Sequence, residues 1–307
     1  MFGYELIDQK TLEFPVSNKN YEDLISVPGN KSISLGLGGT SITRKVDALD
    51  IVVKTCTSVQ LVSQNKKRIF EEEKSEYTFR TINSLIKSVK DLEKKFKGIK
   101  AKFTIIDVNS PKSHLERILS KITNDGFEVE HIPVEDIKGY ENNMSTTMAS
   151  IRKSFYHAKK CNDLIYFVED DYIHKTESLA EMLFAYEKFS SIFQNEIFIL
   201  STDYPYLYKN MNNSSILIGE NTHWRTVKES LLTFMTSRKM IEKHFEKLID
   251  MATNQSNPFE KNLHEIYQKE HCFSPIPSLS IHCANINSVF GLSPNINLKK
   301  LWNDNKN

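Results

Sequence analysis

Three acidic residues, Glu169-Asp170-Asp171, follow directly on the apolar run Leu164-Ile-Tyr-Phe-Val168. Burying carboxylates at the end of a core strand is costly unless a counter-charge offsets them. A hard divalent cation does this well. Mg2+ and Mn2+ take oxygen ligands and leave positions open for water and phosphate. The plain alternative is a solvated turn at the head of the next helix, where Asp and Glu favour the N-terminus. Other residues also have types suited to chemistry. His282, in Ser278-Leu-Ser-Ile-His282, offers an imidazole, which suits Mn2+ better than Mg2+. It reads equally as a core or surface histidine. Asn221-Thr-His223-Trp224-Arg225 combines aromatic faces with a guanidinium that can hold phosphate or carboxylate. Trp224 reads equally as core. Ser201-Thr-Asp-Tyr-Pro-Tyr-Leu-Tyr208 is rich in aromatics and suits either a binding groove or a surface hairpin.

These residues must be positioned by strands and helices, and the pattern is clear from Asp50 onward. The β-branched run Asp50–Thr57 predicts a buried strand. Apolar residues at helical spacing predict a helix over 71–96. A strand follows over 102–108, then a helix over 114–124 closed by the stop signal Asp125-Gly126. Next come a strand over 127–134, a helix over 145–160 with Ser145 or Thr146 as cap, and a strand over 163–168. Strands alternating with helices of this length mean βαβ units and a mainly parallel sheet. In such sheets ligands sit at the carboxyl ends of the strands. Thr55, Thr57, Asp107, Asn109 and the acid triplet all fall there. The second half is less regular. It predicts a helix over 177–193, strands over 196–201 and 216–218, and a helix starting near Ser237. A tail from Pro275 should wrap back over the sheet.

Composition sets the bounds. The chain has 307 residues, 40 basic and 39 acidic, with 39% hydrophobic and 10% aromatic content. That is too apolar for general disorder, and the charge balance argues against a dedicated nucleic-acid binder. The four cysteines form no CxxC pair, and the start MFGYELIDQK lacks a signal peptide's basic and apolar regions. No run spans a bilayer. The expectation is a reducing, cytoplasmic compartment, with peripheral membrane contact open to Lys94-Lys95-Phe-Lys97 and Lys299-Lys300. A zinc site would draw on His264, His271, Cys272, His282 and Cys283, whose spacing fits no standard finger. Residues 1–47 read as an N-terminal extension. Its Gly-Leu-Gly-Gly stretch lacks the spacing of a phosphate loop. Residues 48–307 read as one domain, divided into 48–200 and 201–307.

In its order of elements, with Phe167-Val-Glu-Asp-Asp-Tyr172 closing the fourth strand, the chain resembles the GT-A glycosyltransferases. The resemblance covers roughly residues 48–200. It implies a GT-A-like (Rossmann-like) α/β fold: a mainly parallel central sheet flanked by helices, with a less regular C-terminal acceptor-binding part. It implies transfer of a sugar from a nucleotide-sugar to a glycan or glycolipid acceptor, with Mn2+ or Mg2+ on the diphosphate. Carried over by position, Thr55 and Thr57 begin the nucleotide pocket, Asp107 stands near base and ribose, and Arg152 precedes the acidic strand. Asp171 becomes the first metal ligand, with Glu169 reaching sugar, ribose or metal. Asp170 completes the diphosphate site, and His282 supplies the C-terminal metal ligand. His223, Trp224 and Arg225 become acceptor residues. Inverting transfer needs a general base, for which Glu229 comes first and Asp203 second. The second strand departs from the usual pattern, reading Ile106-Asp-Val-Asn-Ser110. On this view the acids are offset by the metal, not by Lys or Arg. The alternatives are a nucleotidyltransferase, disfavoured because 55–60 lacks a glycine- and basic-rich loop, and a non-catalytic carbohydrate binder.

Overall fold

A computed structural model describes residues 41–58, 69–134, 143–208, 213–283 and 296–306, with backbone only for 143–145. The Gly-Leu-Gly-Gly stretch and nearly all of the N-terminal extension lie outside these residues, as does the side chain of Ser145.

The predicted alternation forms one half of the molecule. Strand β1 (Ala48–Thr55) leads to helix α1 (Lys74–Lys95), then β2 (Lys100–Asp107), α2 (Lys112–Asn124), β3 (Glu128–Pro133), α3 (Asn143–Ala158) and β4 (Leu164–Glu169). These four strands pair in parallel, in the order β3-β2-β1-β4. Central parallel strands are covered on both faces, which explains their unbroken apolar runs. Ile51, Val52, Val53, Ile165 and Tyr166 are all fully buried. Each such side chain contributes about 1.5–3 kcal/mol. Gly126, at φ +94°, makes the left-handed turn that ends α2.

The second half completes the same sheet. Beyond β4 the order continues through β9 (Phe234–Ser237), β6 (Phe198–Leu200), β10 (Cys272–Ile276), β8 (His223–Thr226) and β7 (Ile216–Ile218). Only β8 and β9 run against the other strands. The chain is therefore a mixed α/β structure with a large, mainly parallel central sheet flanked by helices. The two sequence halves share one sheet, because β9 pairs with β4 and β6 together. Helix α4 (Ser178–Phe193) matches its prediction, and Ser237 caps the short α5 (Arg238–Lys243), followed by α6 (Phe245–Met251) and α7 (Lys261–Tyr267). The tail does not simply wrap over the sheet, since β10 is an interior strand despite Pro275. The proline is tolerated because β6 pairs only with Cys272 and Phe273, so its missing N–H breaks no bond on that side.

A second, two-stranded sheet positions the acid triplet. Strand β5 (Tyr172–His174) pairs antiparallel with β11 (Ser280–His282). A small core of Tyr77, Ile173, Ile281, Cys283 and Trp302 backs it. Trp302 belongs to helix α8 (Leu298–Asp304) and is held between the Phe70 ring at 4.1 Å and the Arg80 guanidinium at 4.1 Å. A buried polar chain ties the two sheets together. The Tyr166 hydroxyl donates to Ser201 Oγ at 2.8 Å and meets His174 Nε2 at 2.6 Å, and Ser201 meets Ser280 at 2.6 Å. Burial pushes the His174 imidazole down to about 3, so it stays neutral in this network.

Before β1, the backbone N–H groups of Thr43 and Arg44 donate to Ser191 Oγ, and Arg44 pairs with Asp163 at 2.6 Å and Glu196 at 3.1 Å. Residues 43–46 are thereby stitched to the domain.

Candidate functional site

The carboxyl ends of β1, β2 and β4 meet at one edge of the sheet. At the first two ends, Thr55 Oγ1 donates to Asp107 Oδ1 at 2.7 Å, and Ser110 N–H donates to Asp107 Oδ2 at 3.1 Å. Thr57 N–H donates to Ser110 Oγ at 3.0 Å, and Thr57 Oγ1 meets His114 Nδ1 at 3.1 Å. The structure thus brings Thr55, Thr57 and Asp107 into one hydrogen-bonded group. Asp107 is buried with both oxygens engaged, so it fastens two strand ends rather than presenting a free carboxylate.

The acid triplet stands at the end of the neighbouring strand β4, and its members face two lysines and a histidine from three different elements. Glu169 lies 3.5 Å from Lys54 Nζ at the end of β1. Asp170 pairs through Oδ1 with Lys74, the first residue of α1. Its Oδ2 accepts from Cys56 N–H at 3.1 Å and from the Thr78 hydroxyl at 3.0 Å. Asp171 Oδ2 lies 3.4 Å from His282 Nε2. This corrects the expectation that no lysine or arginine offsets the acids, because Lys54 and Lys74 face two of the three. The reason is topological: β1 lies next to β4 in the sheet, and α1 starts above both strand ends.

His282 is fixed from two sides. Its ring stacks on Tyr172 at 4.5 Å with a 9° interplanar angle, and the β5–β11 pairing sets its register against Tyr172. Burial works against the imidazolium, but the Asp171 carboxylate, aided by Glu169, holds the His282 pKa above its ordinary value. Nδ1 is buried without a hydrogen-bond partner.

Glu260, immediately before α7, is a site residue that no sequence signal marked. Burial, reinforced by the Glu169 charge, pushes its carboxyl up to about 7 against the pull of Lys54 and His282. The charges of Glu260 and Glu229 both reach the Tyr206 ring. A carboxyl whose pKa is raised on folding stabilises the fold below its unfolded pKa, and this contribution is lost as pH rises through the folded value. Glu260→Gln should therefore flatten the fall in melting temperature between about pH 5 and pH 8. The gain at pH 8 is at most of order 3 kcal/mol. Differential scanning fluorimetry across that range checks it. A parallel pH profile in the variant would remove Glu260 from this role.

Several expected residues lie elsewhere. Trp224 is fully buried, with its indole directed at Glu181 Oε1 3.5 Å away, so it packs in the core and offers no sugar-stacking face. His223 is exposed on β8. Arg225 is buried and bonds Asp203 at 2.8 Å. Asp203 is itself only 2% exposed, which removes it as a base free to take an acceptor proton. Glu229 is exposed. Arg152 is half-buried in mid-α3, about 13 Å of helix below its first residue and away from the acidic edge.

Among the described residues, no three His, Cys, Asp or Glu side chains converge to hold a metal. The zinc set is dispersed. His264 contacts Ser230 and His271 packs on Phe193, while burial pushes the Cys272 and Cys283 thiols up. Glu169 is turned to Lys54 and does not complete a three-ligand group with Asp171 and His282.

No family model and no curated protein matches the sequence. Among solved structures, the chain is similar to S. aureus TarS 1–349 in complex with UDP, at 13% identity and a TM-score of 0.41, over 67% of this chain and 54% of that one. It is similar to the galactosyltransferase LgtC in complex with donor and acceptor sugar analogues, at 11% identity and a TM-score of 0.35, over 72% and 66% of the two chains. It is also similar to a putative glucose-1-phosphate thymidylyltransferase from Bacillus anthracis, at 13% identity and a TM-score of 0.45, over 83% and 99%. The matches span between 29% and 54% of the TarS chains. With every one of these TM-scores below 0.5, none of the likenesses assigns an activity.

Proposed function

We propose that this chain is a GT-A-like glycosyltransferase that moves a sugar from a nucleotide-sugar donor to a hydroxyl of a glycan or glycoconjugate. One observation carries the reading. Three carboxylates at the end of a central strand face Lys54, Lys74 and His282, drawn from β1, α1 and β11. Assembling six ionisable groups from four elements at one sheet edge is costly for folding alone. With a divalent cation joined to the carboxylates it suits a diphosphate, and sheets of this type bind ligands at this edge.

In this reading the pocket of Thr55, Thr57, Asp107, Ser110 and His114 receives the nucleoside. Lys54 and Lys74 then face the diphosphate. Asp171 and His282 fit a divalent ion, Mn2+ or Mg2+. They offer one carboxylate and one imidazole 3.4 Å apart, and such ions commonly take few protein ligands and complete their shell with substrate phosphate and water. A bound ion would offset the charge growing on the departing diphosphate. The base that removes the acceptor proton, if transfer inverts, is Glu229 or Glu260, whose charges both act on Tyr206. Burial pushes the Glu260 carboxyl up to about 7, which suits a base working at neutral pH. No described helix is long and apolar enough to cross a membrane. Lys95 and Lys300 of the basic clusters pair within their own helices, with Asp91 and Asp304.

The test is thermal stabilisation by UDP-, GDP- and CMP-sugars, each with and without Mn2+. At least one donor should raise the melting temperature, and Mn2+ should enlarge the shift. Absence of any shift would overturn the proposal. Release of pyrophosphate from a nucleoside triphosphate and a sugar phosphate would favour nucleotidyl transfer instead.

A further inference from the structure

The short 3-10 turn Pro205–Tyr208 carries an aromatic ring for which the donor site has no use. Tyr208 is 53% exposed, among the most exposed large side chains described. It is nevertheless firmly held. Its hydroxyl donates to Asp203 Oδ2 at 2.6 Å, and the Arg225 guanidinium lies 4.1 Å from the ring centroid. Arg225 in turn donates to Asp203 Oδ1 at 2.8 Å, and Asp203 N–H donates to Ser278 Oγ at 2.8 Å. The result is a ring with its edge tethered, a cation against one face and the rest open to solvent.

This arrangement is poorly explained by stability. A buried ion pair seldom stabilises more than apolar packing would, and here the Arg225 Nε is also buried without a partner. What the pair achieves is to fix a surface ring in one orientation. A rigid tyrosine gives contact area at little entropic cost, and an aromatic face suits the C–H face of a sugar ring.

Its place in the sheet separates it from the donor. The turn follows β6, which runs in the same direction as β4, so it lies at the same edge as the acids. In the order β2-β1-β4-β9-β6 the acid turn lies between the nucleoside pocket and this turn. The Tyr204 and Tyr172 hydroxyls, 2.8 Å apart, join the two neighbourhoods.

We infer that Tyr208, held by Asp203 and Arg225, is the stacking platform of an acceptor subsite for a pyranose sugar. The assignment to an acceptor rests on the glycosyltransferase reading, whereas the sugar contact itself does not. The test uses saturation-transfer NMR with a panel of neutral and amino-sugar oligosaccharides on the full chain. The wild type should contact at least one glycan. Tyr208→Ala should weaken it about tenfold or more, and Tyr208→Phe, which keeps the ring, less than about threefold. Donor-induced stabilisation should be the same in all three proteins. Retained glycan affinity in Tyr208→Ala, or no glycan contact in the wild type, would overturn the subsite. Glycan binding that depends on Tyr208, with no response to any nucleotide-sugar, would leave the subsite standing and remove the transferase reading. Because the side chain is largely exposed, folding of both variants is expected and is checked by circular dichroism.

Discussion

Asp171→Asn should lower turnover by about 10^2–10^3-fold with little change in folding, as expected when one preorganised electrostatic partner of a developing charge is removed. Part of this residue's structural role is carried by its backbone. Its carbonyl accepts from Cys283 N–H at 2.8 Å, and that bond survives the substitution. The side chain, by contrast, faces His282 at 3.4 Å at the edge where the donor diphosphate is proposed to lie. Asparagine keeps the shape but loses the charge that would draw a cation and hold the imidazole. Initial rates at saturating donor, with Mn2+ varied, give the loss, and a melting curve gives the folding control. Turnover within about tenfold of wild type would remove Asp171 from the metal–diphosphate site.

Lys74→Met should cost about 3 kcal/mol of stability and weaken donor binding. Asp170 is buried, and its partners besides Lys74 include the Cys56 N–H and the Thr78 hydroxyl. Taking away the lysine leaves a buried carboxylate without its cation, which typically costs about 3–5 kcal/mol. The double variant Lys74→Met with Asp170→Asn separates two roles. Removing both charges should restore most of the stability. Donor affinity stays low if Lys74 touches the diphosphate, and recovers if the lysine serves only to neutralise Asp170. Chemical denaturation and calorimetric titration with UDP measure the two effects.

Much of the first half was legible because its signals are local. The apolar run before Glu169 and the helical spacing between Tyr77 and Leu92 each lie within one element, and their boundaries fall within a few residues of those observed. The short elements that complete the site were not legible. Strands β5 and β11 have three residues each and are defined by pairing with each other across the chain, which leaves no periodicity to read. Lys54 did carry a signal, as a lone cation inside the run Ile51-Val-Val-Lys-Thr55, which calls for a partner at the strand end. Lys74 carried none, since it opens a helix already rich in charge. Trp224 shows the opposite error. The sequence Thr-His-Trp-Arg resembles a binding segment, but period-two alternation on β8 turns Trp224 inward while His223 faces out. His282 was found by its type and by its return to the acids, but its stacking on Tyr172 depends on the β5–β11 register.

The acid triplet is also a joint. Glu169 is the last residue of β4 in the large sheet, and Tyr172 is the first of β5 in the small one. Asp171, immediately before β5, and His282, on β11, are held together by the backbone bonds of the small sheet. Lys54 and Glu169 ride on the large one. Any sliding of one sheet on the other therefore carries the carboxylate–imidazole pair as a unit and preserves its span. Its reach to Lys54 is set by the bonds that join the sheets, Tyr166 to Ser201 and Ser201 to Ser280, so the span of the acid triplet is fixed at both ends.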